Sequence, residues 1–217
     1  MSFFDNIGIG ERLFIEEWLE QLNVKEYTIN DEDLSVDIFD YSVYFVNQYH
    51  PLKYKINSCK HLYFTNCEFN ELENFPNRSL KISLENCTGI SDYNKLFNLT
   101  QYIHLYNINF NELNCKISDY KNLYRISLED CTGNLKIYNG HCSDIKIIQH
   151  TGNICITDID IYNLTIKNCT FNNLPVLKNI TSTEIDLSYL FNKFEPIIYY
   201  IDDYKKNNIT YQINYTK

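Results

Sequence analysis

The chain has 217 residues, 44% of them hydrophobic, which is enough for one sizeable core or a run of stacked repeats and too apolar for wholesale disorder. A formal net charge of −9 argues against a general nucleic-acid binder, whose affinity would rest on neutralising phosphates. The opening Met1-Ser-Phe-Phe-Asp5 lacks the basic segment and apolar run of a signal peptide, and no stretch approaches about 18 uninterrupted apolar residues, so neither a secretion leader nor a membrane span is expected.

Residues Glu11 to Leu22 read as an amphipathic helix, with Leu13, Phe14, Ile15, Trp18, Leu19 and Leu22 on its apolar face. Its expected role is to seal the first layer of a repeat stack, because end repeats need caps. Two short alternating runs follow, Tyr27–Asn30 and Leu34–Ile38, around an Asn30–Asp33 turn. They predict a hairpin. Val43–Asn47 and Tyr54–Ile56 read as degenerate first repeats.

From Leu62 onward one frame returns: apolar-x-apolar-x-x-(Cys or Ile). Its clearest copies are Leu62-x-Phe64-x-x-Cys67, Ile82-x-Leu84-x-x-Cys87, Ile126-x-Leu128-x-x-Cys131 and Leu164-x-Ile166-x-x-Cys169. Alternation over so short a run marks a half-buried strand, and strands at near-fixed spacing mean a solenoid. The markers Phe64, Leu84, Leu105, Leu128, Ile137, Ile147, Ile156, Ile166 and Leu187 are spaced 20, 21, 23, 9, 10, 9, 10 and 21 residues apart. Long coils thus flank a block of coils of nine or ten residues, each with room for one strand and a turn. A second motif, x-x-Phe-Asn-x-Leu, occurs at 67–72, 108–113 and 169–174, in phase with the strands.

Four of the eight cysteines share one repeat position, which predicts a buried ladder of free thiols in a reduced, cytoplasmic protein. Asn66, Asn86 and Asn168, with Asn107 and Asp130 equivalent, are expected to satisfy backbone groups at the strand ends. After Leu187 the frame stops; a short helix around Ile197–Tyr204 and a strand at Ile209–Tyr215 are expected as a C-terminal cap. The organisation read from the sequence is an N-terminal cap of helix plus hairpin (1–42), a repeat solenoid (43–190) and a C-terminal cap (191–217).

The strand frame resembles the leucine-rich repeat family. Leu62-x-Phe64-x-x-Cys67-x-Phe69, Ile103-x-Leu105-x-x-Ile108-x-Phe110 and Leu164-x-Ile166-x-x-Cys169-x-Phe171 match the L-x-L-x-x-C-x-L part of its consensus. The Tyr27–Ile38 leader looks like that of small leucine-rich-repeat-like proteins common in bacteriophage genomes. The resemblance implies a mainly β, leucine-rich-repeat-like solenoid of stacked parallel strands with an N-terminal helical cap. Ile, Phe and Tyr in place of Leu, with the short coils, favour a tighter, flatter solenoid partway toward a β-helix. The resemblance also implies protein–protein recognition on the strand face, without catalytic residues or cofactors.

If the marker residues point inward, alternate positions face outward and bring Tyr102, His104, Tyr106, Arg125, Lys136 and Tyr138 close together. Tyr and Arg are enriched among interface hot spots, so this patch is the candidate partner-binding site. No G-x-S-x-G, P-loop, H-E-x-x-H or Cys-x-x-Cys motif occurs, so neither catalysis nor a metal is expected. The resulting expectation is a phage-encoded protein that sequesters or inhibits a host protein, a defence component being one target class. The alternatives are a scaffold that self-associates through end coils or the C-terminal strand, and an acidic mimic that blocks a nucleic-acid-binding site on its target. No membrane partner and no direct nucleic-acid binding are expected.

Overall fold

Alternating apolar residues give each short run one face to bury, and parallel strands stacked in register bury all those faces together. The computed structural model shows this arrangement, a β-solenoid, and describes residues 5–186 except 31–33, 40–41, 71–73, 76–78, 121–122 and 174. The expected C-terminal cap over 191–217 lies outside the described residues, as do Leu187, Leu72 and Leu174. The chain divides into two compact units, Met1–Thr100 and Gln101–Lys217.

The first unit opens with helix α1 (Asp5–Gln21), which starts earlier than the sequence pattern shows. Ile15, Trp18 and Leu19 are buried, and Trp18 packs on Phe45 and Tyr54 at ring distances of 6.3 and 5.4 Å. Leu13 and Phe14, expected on the same apolar face, are instead 54% and 60% exposed. The buried set Ile15, Trp18, Leu19 follows i, i+3, i+4 spacing and makes a narrower stripe than the composition offers. Strands β1 (Tyr27–Asn30) and β2 (Ser35–Ile38) pair antiparallel as the expected hairpin. β2 then pairs in parallel with β4 (Ile56–Ser58), so the hairpin is built into the first coil. On another side of the coils, β3 (Ser42–Val46), β5 (His61–Thr65) and β6 (Ser79–Glu85) stack in parallel, aligning Phe45, Phe64 and Leu84. The Phe45 and Phe64 rings stack nearly parallel with centroids 4.8 Å apart, which is the spacing of the strands themselves. After β6, helix α2 (Tyr93–Leu99) is capped by the Asp92 carboxylate, which accepts from Asn94 N at 2.9 Å, and it buries Leu96 and Phe97.

In the second unit, β7 (Thr100–Tyr106) and β9 (Arg125–Glu129) pair in parallel, and β8 (Asn109–Lys116) follows β7 on another side of the same coil. Two long strands, β10 (Thr132–Ile148) and β11 (Ile154–Lys167), each make a whole coil, and β12 (Val176–Asp186) follows. The first half of β10 pairs with β8 and its second half with β9, while β11 pairs with both halves. This overturns the block of nine- and ten-residue coils expected from the spacing. Leu128 pairs with Ile147 and Ile147 with Ile166, each 19 residues on, whereas Ile137 pairs with Ile156 in a different column. Each coil therefore carries two apolar-x-apolar runs on two sides, and the sequence spacing alone reads those two sides as two coils.

The corners explain the asparagines. Asn47, Asn66 and Asn86 in the first unit, and Asn107, Asp130, Gln149 and Asn168 in the second, hold left-handed φ values of 50–53°. Asn and Asp adopt that backbone more readily than other residues with a Cβ. In the first unit their side chains bond to one another: Asn86 Nδ2 donates to Asn66 Oδ1 at 3.0 Å, and Asn66 Nδ2 to Asn47 Oδ1 at 2.9 Å. A second corner in the second unit uses Asn139, Asp158 and Asn179, where Asn179 Nδ2 donates to Asp158 Oδ1 at 2.6 Å.

One residue past the first corner, the expected thiol ladder is present. Cys67, Cys87, Cys131 and Cys169 are buried and free, and each donates to the carbonyl two residues back and to one in the preceding coil. His150 occupies the same rung between Cys131 and Cys169, fully buried, with its Nε2 2.9 Å from Gly133 O and its ring stacked on Phe110. Burial holds its pKa below the ordinary 6.5, against the pull of the Gly133 and Cys131 backbone groups. Two residues further on, Gly133 and Gly152 take φ of 127° and 143°, and a Cβ at Gly133 would lie 1.6 Å from Phe110 O.

Two tests follow from this packing. Gly133→Ala is expected to cost on the order of 3 kcal/mol, since it adds both a left-handed strain and a backbone clash; the midpoint of urea unfolding reads it. For His150, the unfolded chain takes up a proton near pH 6.5 while the folded one resists it, so stability is full above that pH and falls below it, down to the lowered native pKa. The expected slope is about 1.4 kcal/mol per pH unit within that window. His150→Ile, the residue type at the Ile108 rung, is expected to flatten this slope in parallel unfolding curves.

Candidate functional site

In the second unit the outward positions of β7, β9, β10 and β11 form three columns. Tyr102, Arg125, Asp144 and Asn163 make the first; His104, Ser127, Lys146 and Thr165 the second; Tyr106, Glu129, Ile148 and Lys167 the third. The structure thus brings Tyr102, His104, Tyr106 and Arg125 together as expected. Lys136 and Tyr138 are not part of this group. They lie on the first half of β10, paired with Asn114 and Lys116 on one side and with Cys155 and Thr157 on the other. There the Lys136 ammonium sits 4.8 Å from the centre of the Tyr138 ring. The correction has the same cause as the coil length: the two halves of β10 were read as successive rungs of one face.

Between the first and second columns runs a groove of about 350 Å³, lined by Tyr102, Arg125, Ser127, Asp144, Lys146, Asn163 and Thr165 over a backbone floor. Ser127, an outward position, is only 2% exposed, because Lys146 and His104 on the adjoining coils overtop its short side chain. The groove crosses four coils, about 14 Å at the spacing of parallel strands. It is a trough along the stacking direction, open to an extended ligand.

Its charges are matched in pairs. Arg125 Nε lies 2.6 Å from Asp144 Oδ2, and Asn163 Nδ2 donates to Asp144 Oδ1 at 2.7 Å. Lys146 Nζ lies 2.6 Å from Glu129 Oε1, which also accepts from Ser127 Oγ at 3.2 Å and faces His104 Nε2 at 3.7 Å. Burial opposes the charge on Glu129, but the Lys146 hydrogen bond and charge, with smaller help from His104 and Ser127, outweigh it and hold the carboxyl below its ordinary value. Arg125 reaches Asp144 through Nε, and its side chain remains 61% exposed, so its guanidinium is oriented and still accessible to solvent.

Asp144 and Asn163 line the groove and were missed from the sequence. The signal was present: extending the Tyr102–Arg125 column by successive steps of 19 residues reaches both. Among the described residues, no group of three or more His, Cys, Asp or Glu is placed to hold a metal ion, and no helix is long and apolar enough to cross a membrane. The chain matches no known protein family, no curated protein and no solved structure.

The Glu129 environment makes a signed prediction. Lys146→Ala removes the main group opposing burial, so the Glu129 carboxyl is expected to titrate higher in the variant than in the wild type. Carbonyl chemical shifts followed against pH read the change. Because the pair is partly exposed, the accompanying loss of stability is expected to stay below about 1 kcal/mol.

Proposed function

We propose that this chain is a non-catalytic recognition module that binds a protein partner on the strand face of its second unit. The groove beside Tyr102 and Arg125 is the observation that supports this reading. It crosses four coils, is lined by both polar and apolar groups, and its cations are tied to carboxylates that hold them in place. A pre-oriented arginine beside tyrosines lowers the ordering cost of binding and fits the composition of interface hot spots. The carboxylates are each engaged by a cation, an arrangement that serves recognition better than proton transfer. The resemblance to small phage repeat proteins supports a host protein as the partner, with sequestration or inhibition as the outcome.

A second reading, self-association, draws on the first unit. Phe39, Tyr44, Val46 and Tyr49 are all more than half exposed on or beside β3, the last strand of its sheet, and the Tyr44 ring is stacked at 4.8 Å on Tyr63. Uncovered edges carrying apolar side chains are sites of pairing with other chains.

Affinity capture from a host lysate tests both readings with three proteins: the wild type, Tyr102→Ala/Arg125→Ala and Lys136→Ala/Tyr138→Ala. The expected outcome is a partner retained by the wild type and by the second variant and lost by the first. Retention by both variants would sink the groove as the site. No retained partner, together with a concentration-dependent oligomer in sedimentation, would favour self-association.

A further inference from the structure

The thiol ladder holds one feature that neither packing nor partner binding requires. In the first unit Cys67 and Cys87 occupy the same rung of successive coils. They are flanked by the Thr65–Glu85 strand pair and the Glu68–Thr88 bridge, and Thr88 N donates to Cys67 O at 3.0 Å. Strand spacing therefore sets their Cα atoms about 4.8 Å apart, inside the window of about 4.4–6.8 Å that a disulfide spans. Both side chains point into the core beneath the Asn66–Asn86 corner. In the second unit the same rung reads Cys131, His150, Cys169. Two steps of about 4.8 Å separate those thiols, beyond the reach of about 7 Å at which bridging fails.

We propose that Cys67 and Cys87 form a reversible redox site, closed by small disulfides such as oxidised glutathione into a bond that staples two coils of the first unit. One of the two thiols, Cys67 for instance, loses its proton and attacks one sulfur of the oxidant; the oxidant's S–S bond breaks, the attacked sulfur stays on Cys67 as a mixed disulfide, and the other leaves and takes up a proton as a thiol. Cys87 then loses its proton and displaces the second thiol. The protein gives up two electrons and two protons, and the oxidant takes up both. The two thiols share a hydrogen bond that lowers one at the expense of the other, so a single proton is lost more readily from the pair than from an isolated buried thiol, and either sulfur can open the sequence. Burial instead raises Cys131 and Cys169, which lack a thiol on the next rung, to about 11. In-register parallel strands hold Cβ atoms farther apart than the roughly 3.8 Å of a relaxed disulfide, so the closed bond is strained and readily reduced. Both thiols are buried, so closure proceeds through local opening of the coil.

The test uses the full chain carrying Cys155→Ser, which removes the one cysteine that is not buried. Reduced protein is incubated with oxidised glutathione, then mapped by thiol counting and non-reducing peptide mass analysis. The expected result is the loss of two thiols, a Cys67–Cys87 cross-linked peptide, and recovery of both thiols with dithiothreitol. Adding His150→Cys places a thiol on the rung between Cys131 and Cys169 and is expected to create a second cross-link, to one or the other. The proposal is overturned if all seven thiols survive, if the bonds formed join other cysteines or separate chains, or if the thiol placed at 150 stays free beside its neighbours.

Discussion

Each coil among the described residues turns a corner on a left-handed residue, and the rest of the structure depends on how that turn is achieved. A left-handed residue is needed at the same place in each coil, and the chain supplies Asn, Asp or Gln there coil after coil. Stacking then puts those side chains one strand spacing apart, where an amide donates to its neighbour and accepts from the next. The conformational cost of the corner is thus offset by hydrogen bonds that exist only because the coils are in register. A slip of one residue would misplace the amides, the thiols and the apolar columns at once, so register is specified several times over.

The same periodic logic shaped what the sequence disclosed. Strand identity, parallel stacking and the thiol ladder were legible because they rest on a two-residue alternation and on a cysteine three positions after four of the markers. Coil length was not. Ile137 and Ile156 satisfy the same apolar-x-apolar pattern as Leu128 and Ile147, and nothing local distinguishes the two sides of a coil. The candidate site inherited this ambiguity. Tyr102, His104, Tyr106 and Arg125 were placed together because they belong to strands with unambiguous markers; Lys136 and Tyr138 were assigned to the wrong side. Helix α1 shows a different limit: amphipathic pattern identifies a helix, but it cannot tell which part of a broad apolar face, Leu13 and Phe14 or Ile15 and Trp18, the neighbouring coil covers.

Stacking also governs the groove. Its walls are side chains from successive coils, each fixed by a partner on the coil beside it, as Arg125 is by Asp144 and Lys146 by Glu129. A solenoid can therefore present a row of oriented polar groups on rigid strands without a loop, and the spacing of those groups is set by backbone hydrogen bonds. Changes to a single wall residue alter chemistry at one point and leave the trough's dimensions alone.

The glycine positions carry a consequence for how such a chain changes length. Phe110 fills the space that a Cβ at Gly133 would need, and Gly133 in turn presents its own carbonyl where a Cβ at Gly152 would fall. Glycine over phenylalanine and glycine over glycine are both accommodated, and the corner, the apolar columns and the Thr132–Thr151–Thr170 bridges continue through this region at a constant step. Removing or duplicating one such 19-residue coil would keep the corner, the apolar columns and the strand register in phase. The natural increment of growth here is a whole coil, and with each one the strand face lengthens by a single strand spacing while its ends stay as they are.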